Sequence, residues 1–361
     1  MKILMLISRL NIGGTEKYTL AISKILMARG IPIGVATEGG PLTAAYSAAG
    51  IKLHILPSRN KAAWLSSMLI KEKYELMHAH DSKSFTLAAT LSNLRNIPFV
   101  VTVHGTYHDK SALLTAARKS KRMISVSPQL TNWLKRHQVP TEKIRTIPNG
   151  IELETFHPVK NPNSSRKGFG LPLSSKILLY AGRFSFDKYP IARIVVKVAE
   201  QIAKNDPQVI AVLMGPGTKR SYLVSLAAAV NRRIGRKAII VRPPTSRIHE
   251  AYAAADIVVG TGRVALEAMA CGKPVVAVGV AGYCGIVQPN LIDKMIQFHF
   301  GDHGAMNSVS TQRLNRDIRF LLGNPALARE WGEFGSQTVK KKFSNHNVVA
   351  RLLQTYKEVT P

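Results

Sequence analysis

Short, mainly apolar runs alternate with longer amphipathic stretches along nearly the whole chain. Runs at 3–8, 32–37, 52–56, 76–80, 99–104, 123–126 and 144–148 read as strands, and 15–29, 60–73, 83–93 and 128–136 as helices between them. Strands that are apolar on both faces and separated by helices predict a parallel sheet covered on both sides. At 157–175 the pattern breaks into a polar stretch with Pro158, Pro162, Gly168, Gly170 and Pro172, which reads as a linker. The alternation then restarts, with strands at 177–181, 209–214, 238–241, 257–259 and 275–278 and helices at 190–204 and 221–233. Helical segments at 311–322, 326–342 and 345–358 finish the chain. The fold class is therefore α/β, with doubly wound domains at 1–156 and 176–343 and the linker 157–175 between them. Ligands of such sheets bind beyond the carboxyl ends of the strands, so a cleft between the two domains is the expected site.

Composition narrows the function. The chain has 361 residues with a net charge of +29, and both halves are basic, which predicts attraction to a polyanion. Aromatic residues are 7% of the chain and no helix-turn-helix, zinc-ligand or RNA-stacking motif occurs, so nucleic acid is the unfavoured partner. Cys271 and Cys284 are the only cysteines, too few for a disulfide framework and consistent with a reducing cytoplasm. The apolar start is too short for a secretory h-region. The longest nearly apolar run, 275–287, is interrupted by Gly279, Gly282 and Gly285 and falls short of the roughly 20 residues a spanning helix needs. A cytoplasmic protein is expected, with any membrane contact peripheral on the inner face of the cell membrane. The basic stretches 59–73 and 118–122 are the candidates for an anionic surface, although the apolar stripe of the first also suits packing on the sheet.

Three loops carry candidate chemistry. Gly13 and Gly14, between the first strand and first helix, would let a ligand approach the backbone, with Thr15 a candidate helix cap; the alternative is a simple tight turn. The spaced G-x-G-x-x-G fingerprint is absent, which disfavours a nicotinamide dinucleotide. In Tyr180-Ala181-Gly182-Arg183-Phe184-Ser185-Phe186-Asp187-Lys188, Arg183 and Lys188 suit a diphosphate, or are two surface cations. In the third loop, Gly260-Thr261-Gly262-Arg263 leads into a short helix carrying Glu267. That carboxylate suits paired hydrogen bonds from ribose hydroxyls, or is a solvated helix residue.

Taken in order, these and other pieces resemble retaining glycosyltransferases of family 4, the bacterial group 1 type with the GT-B fold. The matching pieces are Gly13-Gly14-Thr15-Glu16, His78-Ala79-His80-Asp81, Val103-His104-Gly105, Ile147-Pro148-Asn149-Gly150-Ile151-Glu152 with Phe156, Gly182-Arg183 with Lys188, Gly215-Pro216-Gly217, and the run from Leu266 to Val275. The resemblance implies two Rossmann-like domains facing across a cleft, the first on the acceptor side and completed by a last helix at 344–361, the second binding the nucleotide sugar. It implies that Arg183 and Lys188 bind the donor diphosphate, Glu267 its ribose, and Gly13 and Gly14 the phosphates. His104 would approach the donor sugar.

One position departs from the family pattern. The usual pair of glutamates has seven residues between its members, yet Val259 stands where the first would be. Either Gly262 and Arg263 with backbone donors replace that contact, or the sugar site is impaired. The expected reaction is transfer of a sugar from a nucleotide diphosphate sugar to a glycan or lipid-linked acceptor hydroxyl, with retention, in cell-envelope polysaccharide or glycolipid synthesis. No Asp-x-Asp occurs, so neither a cofactor nor a metal is expected. His78, His80 and Asp81 have a metal-like spacing without an evident further ligand. The competing function is a non-catalytic GT-B-shaped protein that binds nucleotide or glycan.

Overall fold

The seven apolar runs of the first half become seven parallel strands: β1 (Ile3–Leu6), β2 (Ile33–Thr37), β3 (Lys52–Ile55), β4 (Leu76–Ala79), β5 (Phe99–Val103), β6 (Arg122–Ser125) and β7 (Ile144–Thr146). Their order in the sheet is β3-β2-β1-β4-β5-β6-β7. Every residue of β1, β2, β4 and β5 is buried, as strands with helices on both faces must be. This computed structural model describes residues 1–360. It divides into Met1–Gly150 with the segment from Ser344 on, and Ile151–Phe343.

The second unit repeats the plan with six strands, β8 (Lys176–Ala181), β9 (Val209–Met214), β10 (Ile239–Arg242), β11 (Ile257–Gly260), β12 (Val275–Gly279) and β13 (Gly282–Ile286), in the order β10-β9-β8-β11-β12-β13. The last strand is antiparallel, an edge hairpin that the glycine-interrupted run 275–287 did not announce. In both sheets the winding reverses beside the first strand, between β1 and β4 and between β8 and β11. Loops leaving the carboxyl ends of those strands are where such folds bind ligands. Gly13 follows β1 and His80 follows β4; Arg183 follows β8 and Gly262 follows β11.

The structure corrects the domain boundaries. Residues 157–175 do not stand apart as a linker, because they contain the helix Asn163–Gly168 and belong to the second unit. Arg166 anchors them: it is buried, donates to the Ala254 carbonyl at 3.1 Å, and forms a two-pronged pair with Asp256 at 2.9 and 2.8 Å. Prolines and glycines here mark turns, and one buried guanidinium turns the segment into packed structure. The first unit ends at Gly150 rather than 156, since Ile151 and Phe156 sit in the second unit's core. The helix Asn345–Lys357 lies in the first unit, where Tyr356 is fully buried. Helices at Thr43–Ala48, Lys110–Lys119 and Ile248–Ala254 were not anticipated; the second is capped by Asp109, which accepts from Ala112 N at 2.8 Å.

Candidate functional site

In the second unit the chain leaves β8 at Gly182 and is stacked on the loop that follows β9. Gly182 N donates to the Met214 carbonyl at 3.1 Å, Phe184 N to Pro216 at 2.6 Å, and Lys219 N back to Phe184 at 2.9 Å. The glycines of that second loop permit the approach. A β-carbon at Gly215 would collide with the Gly182 carbonyl oxygen, and one at Gly217 with the backbone of Phe184. Held this way, Arg183 is exposed past the strand end, and Lys188 precedes the helix Tyr189–Ala203, with Pro190 in its first turn. Sequence reading missed Lys219, whose ammonium lies 5.5 Å from the Phe186 ring centroid and 5.6 Å from that of Tyr189. Its signal was its place just after Gly215-Pro216-Gly217. The arrangement presents Arg183 and Lys188 with a helix N-terminus, all chemically suited to an anion.

Glu267 is not a solvated helix residue. It is 8% exposed on the helix Gly262–Ala270, where Tyr252 Oη donates to one carboxylate oxygen at 3.0 Å and Arg263 Nε to the other at 2.7 Å. Arg263, expected to face a donor, is one turn away on the same helix and engages this carboxylate. Gly262 begins that helix with φ +53°, in the left-handed region that favours glycine. Val259 is buried in β11, so no carboxylate occupies the position of the missing glutamate.

Beside Gly262 lies a cluster that no spacing in the sequence singled out. His299, Asp302 and His303 bring potential ligand atoms within 4.8 Å of one another, and Asp302 Oδ1 is 3.3 Å from Lys188 Nζ. Burial holds His299 down at about 4 and lowers His303. Burial of Asp302 favours its neutral form, but Lys188 and both imidazoles outweigh this and keep its carboxyl below the usual range.

In the first unit Gly13, not Thr15, takes the cap position of the helix Gly14–Ala28, and no side chain caps it. Gly14 is exposed, with open space where a β-carbon would stand. Extended backbone at Gly13, φ −142°, leads straight into the helix, which is why the threonine falls inside it.

His104, past the end of β5, is half-buried against the Tyr18 ring, 5.2 Å away edge-on. Its Nε2 is 3.3 Å from His80 Nδ1, and its backbone N–H donates to His108 Nε2 at 3.3 Å. Burial, reinforced by His80 and His108, holds His104 well below the usual histidine range, so it is neutral at pH 7. His78 and His80 do not form a metal site with Asp81. His78 is spanned by Tyr356 Oη and Thr102 Oγ1, each at 2.7 Å, while Asp81 accepts from Ser84 N at 2.9 Å and caps the helix Ser82–Arg95. His80 Nε2 is buried without a hydrogen-bond partner.

The basic stretches are partly committed. Lys61 pairs with Glu38, Leu65 and Leu69 are core residues, and Arg122 bonds Glu358 at 3.0 Å. Among the described residues no helix is long and apolar enough to cross a membrane.

With this geometry in view, comparison with known proteins is consistent from end to end. The family profile of glycosyltransferase family 4 matches residues 12–155, and that of glycosyl transferases group 1 matches residues 162–338. The D-inositol 3-phosphate glycosyltransferase of Xylanimonas cellulosilytica is 25% identical over 96% of this chain and 92% of its own length. Its counterpart from Arthrobacter sp. is 27% identical over 75% of each. Among solved structures, Anabaena HepE in complex with UDP superposes with a TM-score of 0.81 at 19% identity, covering 99% of this chain and all of its own. The sucrose-phosphate synthase of Thermosynechococcus elongatus superposes at 0.75 with 22% identity, covering 99% of this chain and 98% of its own. The two units are the two Rossmann-like halves of a GT-B fold, and the chain belongs to the family 4 glycosyltransferases.

Proposed function

We propose that this glycosyltransferase moves a sugar from a nucleotide diphosphate sugar to an acceptor hydroxyl with retention of anomeric configuration. The observation that carries the reading is the loop after β8, where Arg183 and Lys188 stand at the topological switch of the second sheet. Glu267, on the helix after β11 and fixed by Tyr252 and Arg263, is the ribose-binding carboxylate in this reading. As the bond to the sugar breaks, negative charge grows on the diphosphate. Cations and a helix N-terminus already gathered around the bound diphosphate stabilise that charge as it develops. In this reading those groups suffice for the leaving diphosphate, and the reaction is metal-independent and needs no cofactor.

His104 is neutral, so it serves as a hydrogen-bonding partner that positions the donor sugar. With its affinity for a proton so low, it is a poor general base. The acceptor's proton then goes to the leaving phosphate itself, a front-face route consistent with retention.

UDP is the first nucleotide to test, because solved relatives bind it, among them HepE with UDP and with UDP-glucose. Curated relatives named D-inositol 3-phosphate glycosyltransferases make a phosphorylated polyol one acceptor class, beside the glycan or lipid-linked acceptors of cell-envelope synthesis. The +29 charge supports a phosphorylated acceptor or reversible contact with an anionic membrane face. Co-sedimentation with anionic vesicles, lost at high salt and absent with neutral vesicles, tests the membrane contact.

Val259 in place of the first glutamate favours one second reading, a nucleotide-binding protein without transferase activity. Incubation with UDP-, GDP- and ADP-sugars and a panel of acceptors separates the two. Release of nucleoside diphosphate with a glycosylated product supports the transferase; binding without turnover supports the second reading.

A further inference from the structure

The turn at 298–303 is built at some conformational cost. His299, Phe300 and Gly301 are consecutive residues with positive φ, at 49°, 57° and 94°. Left-handed backbone at two non-glycine residues in a row persists only where the surroundings impose it. They do so here: Phe300 is fully buried, its carbonyl accepts from Thr261 Oγ1 at 2.8 Å, and the Gly301 carbonyl accepts from Ala281 N at 3.1 Å. A side chain at Gly279 would collide with that same Gly301 carbonyl.

The turn sets Asp302 between Lys188 and Gly262. A β-carbon placed on Gly262 would lie 3.3 Å from Asp302 Oδ2 and 3.2 Å from His299 Cε1. His299 is 6% exposed, and neither of its ring nitrogens has a hydrogen-bond partner. A buried imidazole with both nitrogens unmatched marks a place where a polar partner is missing. Of the possible partners, a divalent cation is disfavoured by the Lys188 ammonium, which already sits 3.3 Å from the carboxylate. A second anion would be repelled by Asp302. A neutral, hydroxyl-rich group satisfies a carboxylate acceptor and a neutral imidazole together.

We propose that Asp302, backed by His299, binds hydroxyls of the donor sugar, supplying from the 298–303 turn the carboxylate that position 259 lacks. The inference rests on the reading of Lys188 as a diphosphate ligand. The sugar is attached to that diphosphate through a single oxygen, so its ring hydroxyls fall within reach of a group that touches Lys188. When the diphosphate arrives, Lys188 turns to it and Asp302 is released to accept from the sugar.

The test is calorimetric titration of the full chain with UDP, GDP and ADP and with the glucose conjugate of each. For the nucleotide that binds, Asp302→Asn is expected to hold affinity for the free diphosphate within about threefold or tighten it. The same variant should weaken the sugar conjugate by about 10-fold or more, a loss in the range of hydrogen bonds to a charged group. His299→Asn is the second variant, expected to lower the conjugate's affinity while sparing the free diphosphate, and it carries the test if Asp302→Asn melts early. Equal weakening of diphosphate and conjugate in both variants would overturn the proposal and leave Asp302 a support for Lys188 alone. So would zinc or manganese alone raising the wild-type melting temperature in a way that both variants abolish. If the wild type binds no nucleoside diphosphate, the diphosphate reading itself fails, a result distinct from either.

Discussion

Arg263 and Glu267 lie one helical turn apart, joined by a 2.7 Å charge-assisted hydrogen bond, with Tyr252 closing the carboxylate's other side. The pair explains how an ionisable side chain sits 8% exposed beside Leu266 and Ala268, which are fully buried. It also fixes the carboxylate before any ligand arrives.

Glu267→Ala is therefore expected to act on donor binding and on stability together. It removes the carboxylate and orphans the buried Tyr252 hydroxyl, a loss of about 1–3 kcal/mol of folding stability. The KM for the donor should rise more than kcat falls, because a ribose contact does not change in charge as the reaction proceeds. Steady-state kinetics beside a denaturant melt checks both; a fall in kcat at constant KM would move Glu267 out of the ribose role.

The histidines of the first unit give a pH dependence with a definite sign. Burial holds His78 at about 3 and His108 at about 4, and drives His80 well below the usual value. In the unfolded chain these groups take up protons near pH 6.5. Below that pH the unfolded state binds more protons, so stability is full above about 6.5 and declines as the solution is acidified. Each histidine that stays neutral in the fold contributes about 1 kcal/mol per pH unit to the decline. Thermal melts between pH 7.5 and 5 should show the loss; an unchanged melting temperature across that range would contradict the burial of these rings.

Tyr356→Phe tests how the last helix is fastened to the first unit. Its hydroxyl is 2.7 Å from His78 Nδ1, and both residues are fully buried. Removing it leaves a ring nitrogen unmatched, at a cost of about 1–3 kcal/mol. A chemical melt should shift accordingly while the affinity for nucleoside diphosphate stays within twofold. A variant as stable as the wild type would mean the contact adds nothing to docking of the helix.

The fold was legible because the central parallel strands, such as β1, β2, β4 and β5, are covered on both faces and mainly apolar, whereas the glycine-interrupted, antiparallel β13 left no such mark. The loops after β8, β9 and β11 were legible because glycine is required there, by backbone approach at Gly215 against Gly182 and by positive φ at Gly262. Two kinds of feature were not. Glu267's burial depends on Tyr252, 15 residues earlier in sequence, which no helical periodicity links to it. The turn bearing Asp302 meets Lys188 across 114 residues, and its left-handed backbone at His299 and Phe300 contradicts local preference. Only tertiary contacts could place it.

His104→Ala is expected to lower the rate of sugar transfer while leaving the affinity for nucleoside diphosphate nearly intact. Because burial keeps this ring neutral, kcat/KM of the wild type should show no inflection from it between pH 6 and 8. A pH-rate profile measured in both proteins checks this. An inflection near 6.5 that vanishes in the variant would make His104 a titrating base and overturn its positioning role.

The central claim is that Arg183 and Lys188 hold the diphosphate as it departs, and transfer kinetics of three variants test it most directly. Arg183 is exposed, so Arg183→Ala should fold as the wild type does. Loss of a charge-assisted contact worth roughly 1.5–3 kcal/mol predicts a fall in kcat/KM of about 10- to 150-fold, more of it in kcat if the contact tightens in the transition state. Lys188→Ala should fall in the same direction, and the double variant by less than the product of the two, since both serve one group. Unchanged transfer in folded Arg183→Ala and Lys188→Ala proteins would contradict the account.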